Sequence, residues 1–203
     1  MSLKIEEAKF LLNDIISEWD QFSIHLQNLK KEELAADLFS QLSYLTNLED
    51  MMGKISVQLT QLENLLQEIN QMEKSSFSKE QHDQSNWLNF ESEQVLRRIQ
   101  RKLEVAEEAS RELEEEALSL SQDLINDLVH KLLVQPQRGP YLNEELNLEL
   151  DDESKLRELQ DSLETYKEIR LESRGEADDP LLDQLDSQIL SCDAALRINN
   201  AGL

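Results

Sequence analysis

Glycine, proline, aromatic side chains and cysteine are all scarce in this 203-residue chain, and each scarcity removes a class of structure. Four glycines, three prolines and 5% aromatics leave little to build the turns and packed strands of a β-protein. With glycines only at 53, 139, 175 and 202, no phosphate-binding loop, dinucleotide fingerprint or Gly-x-Ser-x-Gly elbow exists. The single cysteine, Cys192, excludes an internal disulfide framework and suits a reducing compartment. No apolar run approaches the ~20 residues that span a bilayer, and the opening Met1-Ser-Leu-Lys-Ile-Glu-Glu lacks the apolar core of a signal peptide. The expectation is an intracellular protein, cytoplasmic or nuclear, without membrane insertion.

Positive charge is also short. Lys+Arg number 20 against 43 Asp+Glu, a formal charge of -23. Phosphate contacts draw their affinity from Lys and Arg, so nucleic acid and anionic membranes are poor partners, and a basic protein surface fits better.

What is present is leucine in register. From Leu45 to Ile69 the apolar residues fall at Leu45, Leu48, Met52, Ile55, Leu59, Leu62, Leu66 and Ile69, in alternating steps of three and four. A helix with 3.6 residues per turn keeps such a 3.5-residue line against a partner only by supercoiling around it. The same spacing runs through Ile5, Ala8, Leu12, Ile15, Trp19, Phe22, Leu26 and Leu29, and again through Leu96, Ile99, Leu103, Ala106, Ser110, Leu113, Ala117, Leu120 and Leu124. The fold expected is all-α: an elongated coiled coil, as a helical hairpin or three-helix bundle, with two additional C-terminal helices.

Helices are expected at about 3–29, 32–72 and 87–134, forming a bundle over 1–135. At Lys30-Lys31-Glu32-Glu33 the repeat loses phase, which fits either a stutter within one helix or a reversal of direction. The apolar line stops from Glu73 to Asn86, where Ser78 with Gln81 has capping-box spacing and Asn86 is a second candidate cap. A reversal there pairs α-helical residues whose numbers total about 160. It would gather Ile69, Met72, Phe77, Trp87 and Phe90 at the tip, and a turn at Lys30 to Glu33 would in addition place Trp19 against Leu113 to Leu120. Phe10, Leu11, Ile16 and Ile24 widen the apolar stripe of the first helix.

Gln135-Pro136-Gln-Arg-Gly139-Pro140 ends the third helix and opens a linker over 136–150. An acidic helical pair follows over 151–203. Leu156, Leu159, Leu163 and Tyr166 keep heptad spacing in its first helix, from about Asp151 to Ser173. Pro180 opens the last, capped by Asp178 or Asp179 and seamed by Leu182, Leu185, Ile189, Cys192 and Leu196. This pair either docks on the first three helices or awaits a partner.

Catalytic chemistry has little to build on. His25, His82 and His130 are isolated from one another and from any cysteine pair, and no Glu-x-x-His repeat is present, so no metal, cofactor or catalytic residue is expected. Two features are candidate partner surfaces. Arg97, Arg98, Arg101 and Lys102 concentrate positive charge, with intramolecular pairing to Glu91, Glu93 and Glu104 as the competing role. Leu128, Leu132, Leu133 and Tyr141 belong to the broad apolar segment Leu124–Tyr141, either an internal dock for the last two helices or a heteromeric interface. Following a long heptad region, that eighteen-residue segment resembles the end of the coiled-coil region in small kinetochore subunits such as the centromere protein K family. The pattern, a Leu-rich helix followed by proline, is of low specificity, and it transfers no functional residue.

The expected role is a non-catalytic coiled-coil subunit of a larger intracellular assembly of cytoskeletal, kinetochore or vesicle-tethering type, hetero-oligomeric with other coiled-coil proteins. The alternative is a self-contained adaptor presenting an acidic C-terminal surface to a basic protein.

Overall fold

A computed structural model describes residues 2–28, 37–72, 78–134, 145–174 and 179–200. Five helices follow one another: α1 (Ser2–Asn28), α2 (Leu38–Gln71), α3 (Lys79–Val134), α4 (Glu145–Arg174) and α5 (Pro180–Asn200). No strand occurs among the described residues, and the fold is all-α.

Side-chain caps set three of the helix starts. The Asp37 carboxylate accepts from the Ser40 N–H at 3.1 Å and from the Ser40 hydroxyl at 2.6 Å, so α2 begins at Leu38 rather than near residue 32. That Ser40 hydroxyl holds the Asp37 carboxyl below its ordinary pKa. Ser78 and Gln81 close a reciprocal capping box: the Gln81 N–H donates to Ser78 Oγ at 3.3 Å, and the Ser78 N–H donates to Gln81 Oε1 at 3.0 Å. Consequently α3 starts at Lys79, not at Trp87, and Asn86 lies inside it. Before α5 the cap is Asp179, whose carboxylate accepts from the Leu181 N–H at 3.1 Å, with Pro180 at the first helical position. The fourth helix, α4, begins at Glu145, within the stretch expected to be linker.

Contacts divide the chain into two units, Met1–Lys30 with Leu48–Ala109, and Lys31–Asn47 with Ser110–Leu203. This division differs from the expected boundaries at 135 and 151 because α2 and α3 each serve both units, and because α4 and α5 share a core with them.

The first unit holds α1, the C-terminal part of α2 and the N-terminal part of α3. Lys4, near the start of α1, pairs with Glu68, near the end of α2, as in antiparallel helices; Lys30–Glu33, where a stutter or a reversal was expected, lie outside the described residues. Reciprocal amide hydrogen bonds of 3.0 and 3.4 Å between Asn70 and Asn89 put α2 and α3 in the expected antiparallel register. The heptad lines are buried: Ile5, Ala8, Leu12, Ile15, Trp19 and Phe22 on α1, and Leu48, Met52, Ile55, Leu59, Leu62 and Ile69 on α2. Each large aliphatic side chain removed from water in this way contributes about 1.5–3 kcal/mol. Of the wider α1 stripe, Leu11 is half-buried, while Phe10, Ile16 and Ile24 are exposed. The expected tip cluster is also corrected: Ile69 and Leu88 are buried while Trp87 and Phe90 face outward, and Phe77 lies outside the described residues.

The second unit is a four-helix arrangement of the N-terminal part of α2, the C-terminal part of α3, α4 and α5. Its core joins Leu42 and Leu45, Leu118, Ile125 and Leu128, Leu156, Leu159, Leu163 and Tyr166, and Leu185, Cys192 and Leu196, so all four helices contribute. Burial pushes the Cys192 thiol up to about 11, which suppresses the nucleophilic thiolate.

Along α3 the period of burial changes where the units divide. Ser85, Ser92, Ile99 and Ala106 recur every seven residues, whereas beyond Ala106 the buried line is Ser110, Glu114, Ala117, Ser121, Ile125 and Leu128. Steps of four, four and three make an eleven-residue repeat, 3.67 residues per turn, which does not impose the left-handed wrap of a heptad. The fully buried line therefore passes through Glu114 and Ser121; of the expected positions, Leu113 is partly buried against the core and Leu120 is exposed. Ala117 joins the core of the second unit, where Tyr166 is among the largest buried side chains. Trp19 belongs to the first unit, its ring 5.4 Å from Lys102 Nζ and tilted against Phe22.

Candidate functional site

Two groups of side chains stand out, one on a surface and one buried. On α3 in the first unit, Ser85, Leu88, Ser92, Ile99 and Ala106 face the core. At 100° per residue, the opposite face carries Trp87, Phe90, Arg97, Arg98, Arg101 and Val105. Trp87 is 52% exposed, Phe90 62% and Val105 68%, values at which most of each side chain meets water.

The four predicted basic residues have different surroundings. Arg97 pairs with Glu93 one turn earlier, and Lys102 sits over the Trp19 ring as a cation–π contact. Arg98 and Arg101 are exposed and make no ion pair or hydrogen bond to a described residue. Intramolecular neutralisation, the competing role for this cluster, is thus realised for Arg97 alone. At the edge of this face Lys9 of α1 joins Lys79, Glu80, Asp83, Gln84 and Trp87 around an open depression.

The apolar candidates divide differently. Leu128 is buried in the core of the second unit, which is the internal of the two roles open to it, and it offers no surface to a partner. The side chains of Leu132 and Leu133, and all of Tyr141, lie outside the described residues.

The buried group is a charge network that sequence inspection missed. Arg170, on α4, donates from Nη1 to Glu114 Oε1 of α3 at 2.7 Å, and from Nε and Nη2 to the two carboxylate oxygens of Asp179. Tyr166 Oη donates to the same Glu114 oxygen at 2.7 Å and lies 3.1 Å from Arg170 Nη1. Only 7% of the Arg170 and Glu114 side chains is exposed. Burial opposes the charge on both Arg170 and Asp179, yet their mutual pairing prevails: the guanidinium pKa is raised and the Asp179 carboxyl is held below its usual range. Because Asp179 also caps α5, one guanidinium ties together α3, α4 and the start of α5. The available signal was spacing, since Arg170 continues the line Leu156, Leu159, Leu163, Tyr166 at a further step of four. A charged residue on a buried line needs a partner.

Each charged group in this network has a partner of opposite sign, one guanidinium serving two carboxylates, and this arrangement fastens helices together. A groove between α2 and α4 of the second unit is lined by hydroxyls that already donate to their own helices, Thr46 to Leu42, Ser162 to Glu158 and Thr165 to Asp161. Among the described residues no cluster of three or more His, Cys, Asp or Glu has the geometry to hold a metal, and no helix is long and apolar enough to cross a membrane.

No family model matches the chain, and comparison with curated proteins and with solved structures yields no match.

Proposed function

We propose that this all-α chain is a non-catalytic interaction subunit of a larger protein assembly, held to other helical chains along the outer faces of its own helices. The observation that carries the reading is the outer face of α3, where Trp87, Phe90 and Val105 stand in water beside arginines on the side away from the core. Large side chains grouped on one exposed face favour association. Coiled-coil pairing with those partners, and an intracellular setting of cytoskeletal, kinetochore or vesicle-tethering type, complete the proposal.

Affinity purification of the full chain from its native cell, with cross-linking and light scattering, tests the reading. Stoichiometric co-purification of helical chains cross-linked to α1–α3 is expected. A monomer that acquires no stoichiometric partner would overturn it.

A second reading, an adaptor for basic proteins, is favoured by the charge of the second unit, which carries twenty-six acidic and ten basic residues against seventeen and ten in the first. Removing everything after Pro136 is no clean test, because α4 and α5 cover Leu42, Leu45 and Leu118. Changing the exposed Glu158, Glu168 and Glu172 to Gln leaves that core intact. Loss of binding to a lysine-rich peptide in this variant would support the adaptor; unchanged binding would reject it.

A further inference from the structure

We propose that the outer face of α3 between Trp87 and Val105 is the docking surface for an acidic amphipathic helix of a partner protein. The inference rests on the interaction-subunit reading and specifies the partner's chemistry. Trp87 and Phe90 form one apolar end of the face, Val105 the other, and Arg97, Arg98 and Arg101 lie between them. All fall within an arc of about 100° on the side opposite Leu88, Ile99 and Ala106. From Trp87 to Val105 the face runs about 27 Å, the length of five helical turns. A helix laid along it would cover the aromatic end and the valine while placing carboxylates against the arginines.

Charge decides among occupants. Arg98 and Arg101 have no counter-ion among the described residues, in a chain that otherwise carries an excess of carboxylates. Acidic residues bound the face at both ends, Glu80 and Asp83 before Trp87, and Glu104 and Glu108 around Val105. The partner helix therefore carries its Glu or Asp in the middle and neutral or basic residues at its ends. Nucleic acid fits poorly, because a duplex carries about one charge per 1.7 Å and would run past the three arginines onto those flanking carboxylates. A second copy fits poorly too. Set antiparallel about the middle of the face, it would bring Arg97 and Arg98 of the two chains side by side across the twofold axis. Arg–carboxylate pairing at the centre of an apolar contact gives both register and choice of partner.

The test uses the full chain and a fluorescein-labelled designed helix of about 20 residues, the length that spans the face, with leucines along one side and flanking glutamates at its centre. Fluorescence anisotropy should show binding to the native chain. The pair R98E/R101E should weaken it at least about tenfold, and exchanging the central glutamates for lysines should restore binding to that variant, the behaviour of complementary charge. W87S/F90S should abolish binding of either peptide, with circular dichroism confirming that every variant keeps its helix content. Four outcomes overturn the proposal: no binding by the native chain, binding insensitive to R98E/R101E, tighter arginine-dependent binding of a short DNA duplex or of phosphatidylserine vesicles, or native dimers that F90S dissociates. If the peptide fails while helical partners still co-purify stoichiometrically, the assembly reading stands and this face is not where they bind.

Discussion

The two units solve the problem of a thin helical core in different ways. In the first, three helices bury narrow apolar lines and leave Leu3, Phe10, Ile16, Ile24, Val57, Trp87, Phe90 and Val105 exposed. The second unit, although far more acidic, leaves only Leu120, Leu190 and Ile198 among its large described apolar side chains exposed, and it places one guanidinium between two carboxylates inside. Apolar side chains stay in water in the first unit, while in the second charge is drawn into the interior. A buried ion pair adds little net stability against a well-packed apolar substitute, yet it is costly to break, so it selects one arrangement of α3, α4 and α5 over others.

The largest expected effect follows from breaking that cluster. Arg170→Ala strands Glu114 and Asp179 in the interior and should cost about 3–5 kcal/mol. Each unit contains its own reporter. Cys192 is buried in the second, and both tryptophans, Trp19 and Trp87, belong to the first. Arg170→Ala should therefore speed labelling of Cys192 by a disulfide reagent before tryptophan fluorescence changes in a denaturant titration. Equal shifts of the two signals would mean that the units unfold as one. Arg170→Lys should rescue little, because an ammonium cannot reproduce the fork that reaches both Asp179 oxygens.

Next in size is a cavity in the first unit. Ile55→Ala or Leu62→Ala removes a fully buried side chain and should cost about 2–5 kcal/mol, seen as an earlier change in tryptophan fluorescence. Phe10→Ala, although it removes a larger group, should lie within about 0.5 kcal/mol of the native chain because Phe10 is 69% exposed. If Phe10→Ala proved as damaging as Ile55→Ala, the separation of buried lines from outer faces in this unit would fail.

How much of this was legible in the sequence depended on whether a position was apolar. The lines through α1, α2 and α4 were readable because leucines and isoleucines mark them one by one. On α3 beyond Ala106 the expected line keeps Ser110 and Ala117, but the buried line also runs through Glu114 and Ser121, which a count of leucines passes over for Leu113 and Leu120. Local polarity hid the change of period, since only the helices facing this stretch make a glutamate there tolerable, through Tyr166 and Arg170. The same limit affected the outer surface. Trp87 and Phe90 read as members of a core because hydrophobicity alone does not say which side of a helix another helix will cover. Asp37 was readable in principle as a cap, but no glycine or proline nearby drew attention to it.

The smallest effects belong to the caps, and they sharpen the comparison by pH. Asp37 and Asp179, which start α2 and α5, lie in the second unit and titrate; Ser78 with Gln81, which starts α3 in the first, does not. Both aspartates have carboxyls held below their ordinary value, Asp37 chiefly by the Ser40 hydroxyl and Asp179 by Arg170 against the opposing effect of burial. A carboxyl depressed in the folded state stabilises fully above its unfolded pKa, near ~3.9, and that contribution disappears as pH falls through the lower folded value. Acidification below this range should therefore expose Cys192 to dithiodipyridine, a reagent that works in acid, while tryptophan fluorescence holds. Asp37→Ala should cost about 1 kcal/mol at neutral pH, as should Ser78→Ala, but only the former difference should shrink in acid. Asp37→Asn keeps a capping oxygen without a titrating proton, so it should retain most of the stability and lose that pH dependence. A Ser78→Ala defect that also faded in acid would show that the pH response arises from general relief of acidic repulsion rather than from the caps of the second unit.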